Sequence, residues 1–215
     1  MKKLIFPLPL IVMIMVITSC KKDKDEPIIE TPSFPDYSQL KVGNYWIYQQ
    51  FDIDASGIAT AKDVFDSCYI EKDTMINGNK YFKMVKPDPN LLIAKLYLRD
   101  SLHYVINSAG QLLFSSEDFS SIFSSEYYII PGDTVCRITT RMDEQDVAVS
   151  TPAGIFITSD FKEIFDMFPG WEQAGNPRYK HARYAENIGV VMETLPFFAS
   201  SPKYVERRLV RYHLN

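Results

Sequence analysis

The stretch Tyr45-Trp46-Ile47-Tyr48-Gln49-Gln50-Phe51-Asp52-Ile53 decides the fold class of this 215-residue chain. Successive side chains of an extended strand point to opposite faces of a sheet, so a period of two predicts a half-buried strand. Aromatic and β-branched residues, which favour strands, dominate the segment. Alternation places Gln50 and Asp52 on one face and leaves the other face to Tyr45, Ile47, Phe51 and Ile53.

The same pattern recurs along the rest of the chain, in short runs separated by turn residues. Between two such runs, Asn77-Gly78 predicts a type I′ hairpin, because both residues tolerate a positive φ. Connections this short join antiparallel strands, since parallel neighbours need crossovers of about a dozen residues. We therefore predict a mainly β fold, an antiparallel curved sheet or half-barrel. Its further strands are expected at 64–72, 80–85, 93–99, 102–106, 111–114, 134–141, 146–151, 155–158, 179–184, 189–194 and 204–214.

Two segments depart from this rhythm and predict one or two short helices. In 160–168, Asp160 and Glu163 are spaced like a capping pair, apolar residues recur at helical spacing, and Pro169-Gly170 ends the run. In 116–123, apolar residues also recur at helical spacing behind serines that could cap a helix. We expect these helices to cover an open end or face of the sheet.

The first twenty residues have the parts of a secretory signal. Lys2-Lys3 precedes an apolar run over 4–17, and small residues follow it. The run is shorter than a membrane-spanning helix requires. Its end, Ile17-Thr18-Ser19-Cys20, resembles a bacterial lipobox, in which the cysteine thiol accepts a diacylglycerol before the signal is removed. The resemblance implies cleavage before Cys20 and attachment to a membrane through a lipid on that residue.

We divide the chain into a lipoprotein signal peptide over 1–19, a flexible tether over 20–38 and a single antiparallel β domain over 39–215. Charged residues and prolines alternate in the tether, which keeps such a segment extended. Lys24-Asp25-Glu26 resembles the surface-export signal of some Bacteroidota lipoproteins, and a solvated charged linker is the alternative. The expected location is the outer membrane, with the lipid-anchored chain exposed at the cell surface.

The overall composition and charge indicate which partners and cofactors to expect. Lys and Arg number 23 against 27 Asp and Glu, a formal net charge of −4. With no sustained basic block, nucleic acid is not expected as a partner. At 46% hydrophobic residues, a chain of this length can bury a core that needs neither disulfides nor a metal. We expect no cofactor.

Two cysteines remain once Cys20 is assigned to lipid. Cys68 and Cys136 both lie in apolar, strand-like runs, and an oxidising compartment would permit a disulfide between them. Two separately buried thiols fit the same sequence, because spacing alone does not show whether the Cβ atoms meet. Both alternatives stay open.

The blocks VGNYWIY (42–48), TPAGIF (151–156) and YAENIGVV (184–191) resemble those of a broad group of uncharacterised Bacteroidota outer-membrane and surface lipoproteins. The resemblance covers most of the β domain and implies a mostly antiparallel fold, such as the half-barrel of lipoprotein carriers. The third block departs from the commoner pattern, which has two glycines where Glu186 and Gly189 stand here.

Three tripeptides match the O-glycosylation pattern of the same bacterial group, in which an aspartate, a hydroxyl residue and a methyl-bearing residue follow one another. All three fall at expected strand or turn junctions, where a sugar could remain in solvent. The acceptor residues would be Thr74, Ser101 and Thr134.

The sequence carries no catalytic or metal motif that stands out. His103, His181 and His213 are scattered, without the spacing typical of a zinc site. In the last expected strand, alternation puts Arg207 and Arg211 on one face with His213. That face is either a site for an anionic ligand or a solvated outer surface.

These features favour a non-catalytic, lipid-anchored protein of the cell envelope with a role in binding or envelope assembly. A lipid, a glycan or an envelope protein would be its partner, and an apolar cavity in the sheet would favour a carrier of hydrophobic ligands. One alternative is a surface glycan hydrolase that uses two carboxylates. Another is a structural subunit of an envelope complex.

Overall fold

The structure, a computed structural model, describes residues 33–88, 92–195 and 204–215. These residues form 13 strands and one single-turn 3₁₀ helix, Glu172–Ala174. In chain order the strands are β1 (Tyr45–Ile53), β2 (Ala59–Ile76), β3 (Asn79–Asp88), β4 (Leu92–Ser101), β5 (Tyr104–Asn107), β6 (Leu112–Ser115), β7 (Ser124–Ile130), β8 (Asp133–Met142), β9 (Val147–Thr151), β10 (Gly154–Met167), β11 (Arg178–Ala185), β12 (Gly189–Thr194) and β13 (Tyr204–His213).

All 13 strands belong to one unclosed antiparallel sheet. The order across it is β6-β5-β4-β3-β2-β1-β13-β12-β11-β10-β8-β7, and β9 pairs with β10. Most neighbours in the sheet are neighbours in the chain, as short hairpin connections require. The pairing of β1 with β13 joins the two halves. The prediction of a mainly β, antiparallel fold is confirmed.

The sheet is strongly curved, so that strands far apart in its order meet. Phe114 on β6 packs against Tyr184 on β11, with ring centroids 4.5 Å apart. The backbone N–H of Ser115, at the end of β6, points at the Met142 sulfur of β8 at 3.3 Å. Phe114 and Met142 belong to one buried cluster. These contacts leave a concave inner face.

The predicted hairpin at Asn77-Gly78 is confirmed. It joins β2 to β3, whose register runs from Ile76 opposite Asn79. The two turn residues have φ values of 49° and 78°, both positive as a type I′ turn requires. This is one of the few positions where the local sequence alone dictates the backbone.

The helix expected at 160–168 is wrong, because residues 160–167 belong to β10. Phe161 and Phe165 are four residues apart, a spacing that one face of a strand shares with one face of a helix. β8 and β11 pair with the two edges of this part of β10. The sheet therefore satisfies the backbone groups that a helix would have paired internally.

The helix expected at 116–123 is also wrong, because this segment is a series of bends. Ser115 Oγ accepts hydrogen bonds from the backbone N–H groups of Glu117 and Asp118, at 3.1 and 2.8 Å. Asp118 in turn accepts from two later backbone N–H groups. Side chains that bond the backbone in this way compete with helix formation. Within the described ranges the 3₁₀ turn at Glu172–Ala174 is the one helical element.

β1 has the predicted bounds, but its first half buries the face opposite to the one predicted. Trp46 and Tyr48 are each 2% exposed, and Ile53 is 1% exposed. Between Gln49 and Phe51 the pairing with β2 shifts register, where β1 advances by two residues and β2 by four. The buried positions change from Trp46 and Tyr48 before this irregularity to Ile53 after it. The aromatic pair at 46 and 48 faces the interior.

Residues 36–38, the last part of the expected tether, lie against the sheet. The Tyr37 ring packs on Phe114 with centroids 4.8 Å apart, and the buried Ser38 hydroxyl donates to Asp100 at 2.8 Å. The expected signal peptide and Cys20 lie outside the described residues. No helix in the described part of the chain has the length and apolar character needed to cross a bilayer.

Cys68 and Cys136 are free, buried thiols. Cys68 packs in the cluster around Trp46, whereas Cys136 packs with Phe165 in a separate one. Burial raises the pKa of both thiols. Of the two alternatives that the sequence left open, the structure has the separate buried thiols and no disulfide between these residues.

Candidate functional site

A cavity of about 320 Å³ lies on the concave face of the sheet. Side chains from β1 to β6 and from β10 to β13 line it. The cavity is therefore formed by the curvature of the sheet, which brings these strands around one space. Much of the wall is apolar and includes Leu96, Leu98, Leu113 and Phe161. Ligand sites in proteins are typically clefts of several hundred Å³, mostly apolar with a few placed polar groups. This cavity is the candidate site.

Strand alternation carries the apolar wall from one strand to the next. Met84 on β3 lies opposite Leu96 on β4 in the register of the two strands, and both side chains line the cavity. Two residues further along each strand, Lys86 lines it from β3 and Leu98 from β4. Residues two apart on a strand share a face, so Lys86 adds a charge to an otherwise apolar row.

A buried charged cluster lies at one part of this wall. Arg207 Nη2 contacts Glu193 Oε1 at 2.7 Å, and Lys86 Nζ contacts the same oxygen at 3.1 Å. Arg207 is 2% exposed, and its guanidinium lies over the Tyr48 ring, 4.9 Å from the centroid. The Tyr48 hydroxyl donates to the Val190 carbonyl at 2.7 Å. Three strands from the middle of the sheet and β3 thus meet in one cluster.

The cluster is ionised at neutral pH. Burial alone would raise the pKa of Glu193, but Arg207 and Lys86 outweigh it and lower the pKa to about 2. Burial likewise disfavours the charged form of Arg207, yet attraction to Glu193 leaves its pKa above the ordinary value. Burial raises the pKa of Tyr48 well above its usual range. The site therefore presents fixed charges and neutral phenols.

A second polar group lies on β10 and β11. Lys180 Nζ contacts Glu163 Oε1 at 2.6 Å, and both side chains line the cavity. His181 also lines it and pairs through Nδ1 with Asp160 Oδ2 at 2.7 Å. Asp160 is fully buried behind the wall. In this group each basic side chain that lines the cavity has its own carboxylate, whereas Arg207 and Lys86 share one.

The cavity contains the carboxylates on which the glycan-hydrolase alternative would depend. Among the described lining residues these are Glu163 and Glu193, and both form ion pairs with cations. Hydrolysis by a carboxylate pair requires one protonated and one ionised carboxyl group. The low pKa of Glu193 keeps this residue ionised, so it is not the group that would donate the proton.

The structure separates the two arginines that the sequence placed on one face. In the pairing of β1 with β13 the register shifts between Ile47 and Tyr48, opposite Val210. This bulge reverses the facing of the residues beyond it. Arg207 consequently lies in the cavity, whereas Arg211 is exposed. The expectation that Arg207 and Arg211 share one face is wrong.

The three candidate glycosylation residues are not among those that line the cavity, whereas Cys68 is. Thr74 on β2, Ser101 at the end of β4 and Thr134 near the start of β8 are each partly exposed, and their glycosylation stays a prediction. Among the described residues, no group of three His, Cys, Asp or Glu side chains could hold a metal ion.

One pair of residues brought together by the fold was not expected from the sequence. His103 Nδ1 lies 3.0 Å from the Ser115 hydroxyl. Ser115 is fully buried and its oxygen already accepts two backbone N–H groups. The pair therefore closes the turn after β6, and the hydroxyl is not accessible to a substrate.

The sequence analysis did not identify Lys86 or Glu193. A weak pattern does mark the two cations, Lys86 and Arg207, because each lies two residues from an apolar residue that the strand buries. Lys86 follows Met84, and Arg207 precedes Leu209, each at a spacing of two on a face that buries its apolar neighbour. A charge on the apolar face of a strand costs free energy unless it is paired. Such residues are worth marking in a sequence even before their partners are known.

No protein-family model matches this chain, and no curated protein matches it. Two solved structures are similar to this chain. One is a Bacteroides fragilis protein described as exported, with a YmcC-like fold: 13% identity, TM-score 0.49, covering 84% of this chain and 100% of that one. The other is a protein from Parabacteroides distasonis described as a lipoprotein: 10% identity, TM-score 0.49, covering 85% of this chain and 100% of that one. At these identities neither similarity extends to function.

Proposed function

We propose that this chain is a non-catalytic, lipid-anchored protein of the cell envelope that holds a hydrophobic ligand in the cavity of its curved sheet. The observation that carries the binding role is the cavity itself, about 320 Å³ and walled largely by apolar side chains. A sheet that served only as a structural subunit would be expected to fill this space with its own side chains, because protein interiors are close-packed.

The anchor rests on sequence. Cys20 ends a segment that resembles a lipobox. A segment that contains charged residues and prolines separates Cys20 from the first strand. Such a segment would hold the sheet at a distance from the membrane surface while keeping it attached. A hydrophobic ligand could then pass between the cavity and the membrane without crossing bulk water. The outer membrane, with the chain at the cell surface, is the location proposed.

Filling the cavity is expected to weaken ligand binding. Trp46 lines the cavity, and in a Trp171→Phe background it is the only tryptophan of the chain. Terminally brominated dodecanol or dodecanoate, added to the full chain in phosphatidylcholine nanodiscs, is expected to quench Trp46 saturably. Ala182→Phe, which adds a ring to the cavity wall, is expected to weaken this quenching at least about tenfold, since about 1.4 kcal/mol of lost binding already has that effect.

The matched control is Ala61→Phe, which adds the same ring on the exposed surface of β2 and should leave quenching unchanged. Leu96→Trp, with emission from both rings recorded, serves as a second filling variant if Ala182→Phe folds poorly. Equal quenching in wild type and in correctly folded filling variants, or no saturable quenching by either probe, would show that the cavity does not hold a ligand.

Lipidation is expected at Cys20 alone. Cells fed radioactive palmitate should label the wild-type chain and the Cys136→Ser variant, because Cys136 is a buried thiol. Cys20→Ser should remove the label, since no other thiol carries the lipobox context. Label that persists in Cys20→Ser, or an unlabelled wild type, would contradict the anchor.

A further inference from the structure

Two donor atoms of Arg207 are buried without a hydrogen-bond partner. Only Nη2 is paired, with Glu193 at 2.7 Å, while Nε and Nη1 have no partner. The side chain is 2% exposed and lines the cavity. Buried donors in native proteins are nearly always satisfied, and each exception calls for an explanation, such as a catalytic role or a bound water or ion. Because Arg207 lines the cavity, its two donors are available to an acceptor bound there.

The charges around the cavity do not balance. Of the described residues that line it, Lys86, Lys180 and Arg207 are cationic, and Glu163 and Glu193 are anionic. Lys180 is matched by Glu163, so Lys86 and Arg207 are left to share a single carboxylate. His181, the remaining titratable imidazole in the wall, is engaged by the buried Asp160. One positive charge among these lining residues is therefore uncompensated. It is shared between Arg207, which is 2% exposed, and Lys86, whose side chain is 25% exposed.

The apolar wall extends away from this charge in a defined direction. Lys86 lies opposite Ala94 in the β3–β4 register, and Leu96 and Leu98 follow along β4. Leu113 on β6 and Val105 on β5 continue the wall beyond them. An elongated molecule with its charged end at Lys86 and Arg207 would therefore have its remaining length against leucine and valine side chains.

We propose that the cavity takes an amphiphile with one acyl or alkyl chain and a single anionic oxygen head group. Its head group accepts hydrogen bonds from Arg207 Nε or Nη1 and neutralises the excess charge of Lys86 and Arg207. Its chain lies along Leu96, Leu98 and Leu113. A carboxylate and a phosphate share this chemistry. The proposal rests on the proposed function, because it names the class of hydrophobic ligand that the cavity would hold.

The test compares probes that differ only in the head group. Terminally brominated dodecanol, dodecanoate and dodecyl phosphate are titrated into the full Trp171→Phe chain in phosphatidylcholine nanodiscs, with Trp46 quenching as the readout and empty nanodiscs to correct for partitioning. At least one anionic probe is expected to bind about tenfold or more tightly than the alcohol, the gain typical of a charge-assisted hydrogen bond. Whichever anion binds more tightly identifies the head group.

Lys86→Met tests the charge without disrupting the Arg207–Glu193 pair, and is expected to reduce the preference for the anionic probe to about threefold or less. Lys95→Met removes the same charge from the exposed side of β4 and should leave the preference intact. Equal binding of alcohol and anions, or a preference that survives Lys86→Met, overturns the head-group proposal while the cavity proposal stands. Saturable quenching by none of the probes overturns both.

Discussion

Replacing Trp46 with alanine is expected to lower the free energy of unfolding by about 3–5 kcal/mol, the usual cost of removing a large buried aromatic side chain. The indole is 2% exposed and its Nε1–H donates to the Ile188 carbonyl at 2.7 Å. It also packs on Gly189, where a Cβ atom would lie 3.4 Å from the indole. The variant therefore loses packing and removes the indole donor from the Ile188 carbonyl. Urea unfolding followed by circular dichroism measures the change.

Tyr69→Ala supplies the comparison, because Tyr69 is an aromatic residue on the neighbouring strand β2 but is 39% exposed. Its loss should cost much less than that of Trp46. Equal destabilisation by the two substitutions would mean that Trp46 is not a central packing residue of the sheet. The midpoint and the slope of each transition should be compared, so that a change in the unfolded state is recognised.

Replacing Glu193 with glutamine is expected to lower the free energy of unfolding by about 3–5 kcal/mol at pH 7, as for other buried ion pairs that lose one partner. The substitution keeps the shape of the side chain and leaves Lys86 and Arg207 without a countercharge. Arg207, at 2% exposed, cannot turn to water. Urea unfolding without added ligand is the measurement.

The same variant gives a defined dependence on pH. In the folded chain the pKa of Glu193 falls from the ordinary 4.5 to about 2, so its ionised form contributes stability above about pH 4.5. That contribution is lost as the pH falls through about 2, when the folded state also binds the proton. The difference between wild type and Glu193→Gln should therefore shrink as the pH falls from 4.5 to 2.

Glu126→Gln is the matched control, because Glu126 is an exposed carboxylate on β7. It should change neither the stability at pH 7 nor its dependence on pH by more than a few tenths of a kcal/mol. A difference between wild type and Glu193→Gln that stays constant from pH 7 to pH 2 would contradict the ionised cluster.

Most strands could be predicted from the chain because their cause is local. The bounds of β1 and the turn at Asn77-Gly78 required only neighbouring residues, and both are confirmed. The facing of Trp46 and Tyr48 did not follow from alternation alone. The stretch 160–167 was misassigned because Phe161 and Phe165 fit one face of either a helix or a strand. What decides between the two is the pairing of β8 and β11 with its edges, and those strands are distant in the sequence.

The sequence by itself determined the β class and the antiparallel pairing, since these follow from alternation and turn residues. It also supplied the lipobox-like Cys20. Only the tertiary structure decided where Arg207 lies, because a bulge at Val210 sets its facing. Lys86, Glu193 and Arg207 come from strands that meet only when the sheet forms and curves. A buried charge cluster of this kind depends on register and curvature, which no local pattern encodes.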